Sequence, residues 1–455
     1  MLLCCRTVPR RQASYEDGMF GLLIHPLCFR RMLPLLALLA SIVGPARADE
    51  TSEDAVARLQ RKIDAGQARL PYDPQRGYLD ALLRELKLPP SSQSLVFTKT
   101  SLQRDHLSPA TPRAIYFNDD TYVGYVRDGN VMEIASIDPK AGTTAFYTLE
   151  QSATEHPRFQ RETDSCFQCH EGAMTRYTPG LMLRSVAPDA QGFPILADGT
   201  TLITQETPLN ERWGGWYVTG TLGTNPRHRG NTVVHADARD PNAAFAAAAE
   251  SAKGTSQDVT DLTPFCDLSA YASKNSDIVA LMVLAHQAEA HNLMSRAKAV
   301  VERALEDERA INQVTGKPAN SPHSESTLSR IKNAGEPLLK YMLFCDEAKL
   351  TSHVFGTSDF VKDFAAQGPR DKLGRSLRDF DLRRRLFKFP CSYLIYSEQW
   401  DDLPPPLLDY LYHRLWLICR EKEKGHDYDH LTTDDRDAIR QILLETKSGL
   451  PEYWK

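Results

Sequence analysis

Cys166, Cys169 and His170 lie in the run Cys166-Phe167-Gln168-Cys169-His170. Two thiols at this spacing, followed at once by an imidazole, form the attachment pattern of a c-type haem. The thiols add across the two vinyl groups of one porphyrin. The histidine turns a ring nitrogen onto the iron as the proximal axial ligand. Two other chemistries share a bare C-x-x-C. A thioredoxin-like redox pair needs a strand leading into it, and the preceding Glu162-Thr163-Asp164-Ser165 supplies none. A zinc site needs a second pair of ligands nearby, and the chain has no second C-x-x-C. One covalent haem c on Cys166 and Cys169, with His170 as proximal iron ligand, is the expectation. Covalent haem is installed outside the cytoplasm, so the chain should carry an export signal.

Leu33 to Val43 is an apolar run entered through Arg30-Arg31 and left through Gly44-Pro45 and Ala46-Arg47-Ala48. A basic entrance, a short apolar run and an A-x-A exit describe a cleaved signal peptide. The run is too short to cross a hydrocarbon layer of ~30 Å as a helix. Residues 1–48 are therefore expected to be leader and signal peptide, the first 18 or so reading as an over-long start. The remainder, 49–455, is expected in the periplasm. The leader carries six arginines and two acidic residues, so the formal charge moves from −5 for the whole chain to −9 without it. An acidic chain of this kind argues against nucleic acid or an anionic membrane as partner. No later stretch reads as a stable membrane span. A periplasmic redox partner is expected.

A low-spin cytochrome needs a sixth iron ligand, whereas an open site binds a small molecule instead. His228, His286 and His291 are the candidate distal ligands. His286 and His291 share one helical run, and five residues at about 100° each set them ~140° apart around its axis. They therefore cannot clamp one metal together, and a lone histidine on an apolar face is more often a satisfied core residue. His228 sits in the basic loop Pro226-Arg227-His228-Arg229-Gly230, able to fold over a haem edge or lie at the surface. Met174 is only four residues past His170 and is poorly placed to reach the opposite face of the iron.

The elements that must position these groups follow from periodicity. Residues 50–88 read as two helices, with Ala55, Leu59 and Ile63, then Leu79, Leu82, Leu83 and Leu86 at helical spacing. Pro89-Pro90 stops the second. From Ser94 to Leu149 the period changes to that of strands, with turns at Asn118-Asp119-Asp120 and Asp128-Gly129-Asn130. This is a small antiparallel meander, and its Tyr and Phe residues suit either sheet core or a haem wall. Residues 150–240 are loop-rich and carry the motif, so the haem belongs to a larger fold than a stand-alone small cytochrome. Arg212-Trp213-Gly214-Gly215-Trp216-Tyr217 places two glycines between tryptophans, as for backbone passing a planar group or for a tight turn in a core. The alanine run 243–249 suits a short helix or a surface excursion.

Asn275-Ser276-Asp277 caps the strongest helix, from Ile278 to about Ala304, whose first turns are apolar all round and therefore buried. Residues 312–326 read as a polar Pro/Gly/Ser linker, and 327–455 as a helical C-terminal region. The expected organisation is thus a haem-binding region at 49–311, a linker at 312–326 and a helical part at 327–455. The fold class is α+β, mainly α. Cys266, Cys345, Cys391 and Cys419 permit three disulfide pairings or four buried thiols. The basic cluster from Arg370 to Arg385 suits a propionate or anion clamp, or a solvated face paired with Asp371, Asp379 and Asp381.

The segments Ala114–Val126, Cys166–His170, Glu211–Tyr217, Ser276–Asn292 and Gly374–Tyr393 together resemble a family of exported bacterial single-haem cytochrome-c-like proteins without an assigned reaction. The resemblance implies covalent haem and a periplasmic address, and it carries over only Cys166, Cys169 and His170. Two functional readings follow. One is a c-type cytochrome that transfers single electrons. The other is a peroxidase-like or other oxidoreductase haem enzyme with an open distal site.

Overall fold

Asp54 opens the first described helix, α1 (Ala55–Asp64), by accepting the amides of Val56 and Ala57 on Oδ1 at 2.8 and 3.1 Å. The computed structural model describes residues 52–223, 227–235, 246, 258–420 and 426–455. The expected leader and signal peptide at 1–48 lie outside the described residues, as does the alanine run 243–249 apart from Ala246. Helix α2 (Leu79–Glu85) follows the break at 70–77 and buries Leu79, Leu82 and Leu83.

The expected meander is a six-stranded antiparallel sheet in sequential order. Its strands are β1 (Ser94–Val96), β2 (Arg113–Phe117), β3 (Thr121–Val126), β4 (Val131–Asp138), β5 (Thr143–Glu150) and β6 (Gln160–Arg161). The first predicted turn is an Asx turn: Asn118 Oδ1 accepts the amides of Asp120 and Thr121 at 3.2 and 3.0 Å. Register aligns Ile115 with Gly124, Gly124 with Glu133, and Glu133 with Thr148. Alternation then sorts the side chains. Leu95, Tyr116, Tyr125, Ile134 and Tyr147 share a core with α1 and α2. Phe117, Tyr122, Ala135, Ile137 and Phe146 enter the main core on the opposite face. The strand aromatics are core, and Phe146 also borders the motif.

After the sheet come a one-turn helix α3 (Phe167–His170) and the short pair β7 (Arg184–Ser185) and β8 (Thr201–Leu202). Helix α4 (Ile278–Thr315) is the spine of the main core. It is capped by Asp277 and ends at Gly316, whose φ of +68° is the left-handed conformation that glycine supplies at a helix C-terminus. It runs eleven residues beyond Ala304. The extension is polar, carries the Arg303–Asp307 pair at 3.1 Å, and lies against α5 (Glu325–Met342), where Arg330 also reaches Asp307 at 2.8 Å. The expected linker at 312–326 is thereby corrected: 312–315 are the last turn of α4, and 316–324 join two packed helices.

The remaining described helices are α6 (Phe360–Ala366), α7 (Glu398–Asp401), α8 (Pro405–Cys419) and α9 (Thr433–Thr446). Their apolar residues, among them Phe360, Trp400, Leu411 and Ile439, join the same core as Val279 and Met282 of α4. The described residues all fall in one compact unit, so the described part of 327–455 is not set apart as a second one. No described helix is long and apolar enough to cross a membrane.

Candidate functional site

Cys166 caps α3, and the turn closes on it: the amides of Cys169 and His170 both donate to the Cys166 carbonyl, at 3.2 and 2.9 Å. One turn of helix puts the two thiols and the imidazole within a single small patch. Cys169 is exposed, and Cys166 is half-buried with Phe167 against the main core. Burial, followed by the carboxylates of Glu162 and Glu133, pushes the Cys166 thiol up to about 12.

His170 is held from its own loop. Its Nδ1 donates to the Gly180 carbonyl at 2.8 Å, and the Gly180 amide donates back to the His170 carbonyl at 2.9 Å. Thr175 Oγ1 donates to the same carbonyl at 3.1 Å. The ring rests against Phe146 of β5, 4.7 Å between centroids, so one strand aromatic does wall the motif. Burial moves the His170 pKa down and outweighs the Gly180 hydrogen bond, which acts the other way; Arg113 adds to the lowering and Glu133 opposes it. Nε2 makes no hydrogen bond to a described residue. A neutral imidazole with Nδ1–H bound to a backbone carbonyl and Nε2 bare is the state in which histidine ligates a metal. Two thiols and this imidazole on one turn fit a covalent haem.

The loop holding His170 is anchored to α4. Asn292 Oδ1 accepts the Leu181 amide at 2.9 Å, and Asn292 Nδ2 donates to the Leu181 carbonyl at 2.7 Å. On the sheet side, Arg113 and Glu133 form an ion pair at 2.6 Å that acts electrostatically on His170. Asn292, Gly180, Arg113 and Glu133 are the residues that sequence reasoning missed, whereas Phe146 is among the strand aromatics expected as sheet core or haem wall. None of the missed residues stood out locally: Asn292 lies in the mixed stretch His286–Arg296, where polar residues are common.

The three candidate distal histidines are placed elsewhere. His286 is fully buried. Its Nδ1 lies 2.6 Å from Gln205 Oε1 and its Nε2 2.8 Å from Ser392 Oγ. Tyr341 and Phe344 stack on the ring, and burial pushes its pKa down to about 3. His291 is also fully buried, with Nδ1 2.6 Å from Gln399 Oε1 and Nε2 2.8 Å from the Asp119 carbonyl. With both ring nitrogens engaged, neither ring offers a ligand atom as it stands. His228 is not a surface residue. It is buried edge-on to Trp213, accepts the Gly230 amide on Nδ1 at 3.0 Å, and has its pKa pushed down to about 4 by burial.

Two further features resolve to ordinary packing. At Gly214 and Gly215 the close neighbours are the Val186 carbonyl and the Thr98 side chain, and Trp213 and Trp216 are core. Five arginines of the basic cluster are paired: Arg370 with Asp379, Arg375 with Asp371, Arg384 with Asp381 and Arg385 with Asp435, while Arg378 pairs with Asp119 between the rings of Phe364 and Tyr393. Cys266, Cys345, Cys391 and Cys419 are all buried and unbridged. A cleft of about 260 Å³ lies between α8 and α9, lined by residues such as Arg420 and Arg440, apart from the motif. Among the described residues no group of three or more His, Cys, Asp or Glu side chains gathers around a common point to cage a metal ion. Comparisons of the chain with protein-family models, curated proteins and solved structures return no match.

Proposed function

We propose that the protein is a periplasmic c-type cytochrome carrying one covalent haem on Cys166 and Cys169, with His170 as proximal iron ligand, and that it transfers single electrons. The observation that carries this reading is the His170 Nδ1 bond to the Gly180 carbonyl, which leaves Nε2 as the ligand atom beside both thiols. The haem supplies the one-electron couple. The chain's own residues orient the imidazole, exclude water from one side of it through Phe146, and leave the Cys169 side open to solvent. An exposed attachment edge suits electron exchange with a second protein.

The open-site haem enzyme is the second reading. It draws on the engagement of both ring nitrogens in His286 and in His291, which removes them as a sixth ligand in the structure as it stands.

The test is to produce the chain by export in a host with haem-maturation machinery and record the alkaline pyridine spectrum. A c-type band that is lost in Cys166→Ala and Cys169→Ala is the expected result. A folded, colourless wild-type protein would overturn the proposal. Low-spin spectra unchanged by cyanide and carbon monoxide go with electron transfer. A high-spin ferric band shifted by cyanide goes with the enzyme.

A further inference from the structure

The long helix reaches the motif through an asparagine rather than a histidine. Asn292 is buried on α4, and its amide pairs with both backbone groups of Leu181, as a neighbouring strand would. Its Nδ2 also donates to Glu289 Oε2 at 3.1 Å. Three contacts therefore fix which end of the amide faces the loop. The residue before Leu181 is Gly180, whose carbonyl takes the His170 Nδ1 proton and whose amide bonds the His170 carbonyl. A Cβ at Gly180 would collide with Asn292 Oδ1 and lie 3.0 Å from its Cγ. The absent side chain lets the asparagine close onto the loop.

A continuous path of hydrogen bonds and one steric contact thus runs from the buried part of α4 to the imidazole. A loop alone would leave the Gly180 carbonyl free to swing, and the His170 ring with it. Pinned to α4, that carbonyl holds one proton on Nδ1 and keeps Nε2 bare. Partners of this kind orient a ligating histidine and raise its basicity, and their loss typically costs about 10–100-fold in metal affinity or activity.

We infer that Asn292 is the positioning residue of the site, fixing His170 in the Nδ1–H tautomer through Gly180 and so setting how strongly Nε2 donates to a metal. This rests on the haem reading for its consequence, but not for its geometry.

The experiment has an arm on each. In apoprotein made without haem maturation, nitrogen NMR of the His170 ring reads the tautomer directly. Wild type is expected to show Nδ1–H alone, and Asn292→Ala and Gly180→Ala a mixture. A wild-type ring that is Nε2–H or averaged overturns the inference whatever the variants do. So do variants that keep the wild-type tautomer. In haem-loaded protein, Asn292→Ala should weaken donation to the iron. The equilibrium constant for reduction should rise about tenfold, a potential shift of ~59 mV for one electron, with the iron–histidine stretching frequency lowered. A purely structural asparagine would lower thermal stability without moving either quantity, and that result also overturns the inference. Failure to take up haem alongside the expected tautomer result sinks the haem reading alone.

Discussion

Arg113 Nη1 lies 2.6 Å from Glu133 Oε2 across the backbone of Gly124, on the sheet face that meets the motif. Burial alone would raise the Glu133 pKa, but Arg113, Ser101 and Gln103 outweigh it and hold the carboxyl below its ordinary value. Both members of the pair act on His170, and Glu133 acts on Cys166 as well. With haem attached, each charge biases the iron. Arg113→Gln leaves a carboxylate that favours ferric iron, so the midpoint potential falls. Glu133→Gln leaves a guanidinium that favours ferrous iron, so it rises. Redox titration of both variants checks this. Shifts of the same sign would mean that the pair acts through folding and not through its field.

Two neutral histidines make stability depend on pH. His286 and His228 are buried with pKa values pushed down to about 3 and about 4. In the unfolded chain both take up a proton near pH 6.5. Below that pH the unfolded state binds protons the native state does not, so stability falls as pH drops from about 6.5 toward these lower values. At pH 5 each contributes a loss of about 2 kcal/mol. Urea unfolding at pH 7.5 and 5.0 measures it. His286→Gln should be less stable than wild type at pH 7.5, because Ser392 and Gln205 lose a partner. It should nevertheless lose about 2 kcal/mol less between the two pH values. Equal losses in both proteins would refute the assignment.

Much of this was legible in the sequence because it is local. Alternation in Ala114–Val126 separates Tyr116 and Tyr125 from Phe117 and Tyr122 onto opposite sheet faces, as found. Asp277 marks the start of α4. The end of α4 was not legible, because its last turns are polar and their helicity rests on the Arg303–Asp307 pair and on α5. The role of α4 at the site was hidden for a related reason. Its first turns, Ile278–Ala285, are apolar all round, and the buried stretch that follows mixes polar and apolar residues, so periodicity does not say which face looks where. One residue is about 100° of rotation, and that is the difference between His291, bonded to Gln399, and Asn292, bonded to Leu181. Those partners lie 108 and 111 positions away in the chain, and no local pattern announces a pairing at that range.

Six described cysteines sort into two reactivity classes. Cys169 is exposed, and Cys166 is half-buried with its thiol pushed up. Burial raises the thiols of Cys266 to about 11 and of Cys345 and Cys419 to about 12, and it raises Cys391 further. The thiolate is the reactive form, so the buried four should be silent in the native state. In native apoprotein a chromogenic disulfide reagent should label Cys169 first and Cys166 slowly. Denaturation should release the other four, and haem-loaded protein should label neither motif cysteine. Fewer than four new thiols on denaturation without reductant would reveal a disulfide and contradict the structure.

Asp277 joins the start of α4 to a distant loop, and its loss should be among the costliest single changes outside the motif. Oδ1 accepts the Val279 amide at 2.8 Å, while Oδ2 accepts the amides of Thr357 and Ser358 and the Ser358 hydroxyl, each at 2.8 Å. The residue is fully buried, and Gly356 packs against its carboxylate. Losing the cap costs about 0.5–2 kcal/mol. Each buried amide left without an acceptor adds about 1–3 kcal/mol. Asp277→Ala should therefore destabilise the protein by at least ~2.5 kcal/mol. Asp277→Asn, which keeps one carbonyl oxygen toward the helix amides, should cost clearly less. Urea unfolding of the two variants tests the order. An alanine variant within about 1 kcal/mol of wild type would mean that water replaces the carboxylate at this junction, and that the helix start is more open than the geometry gives.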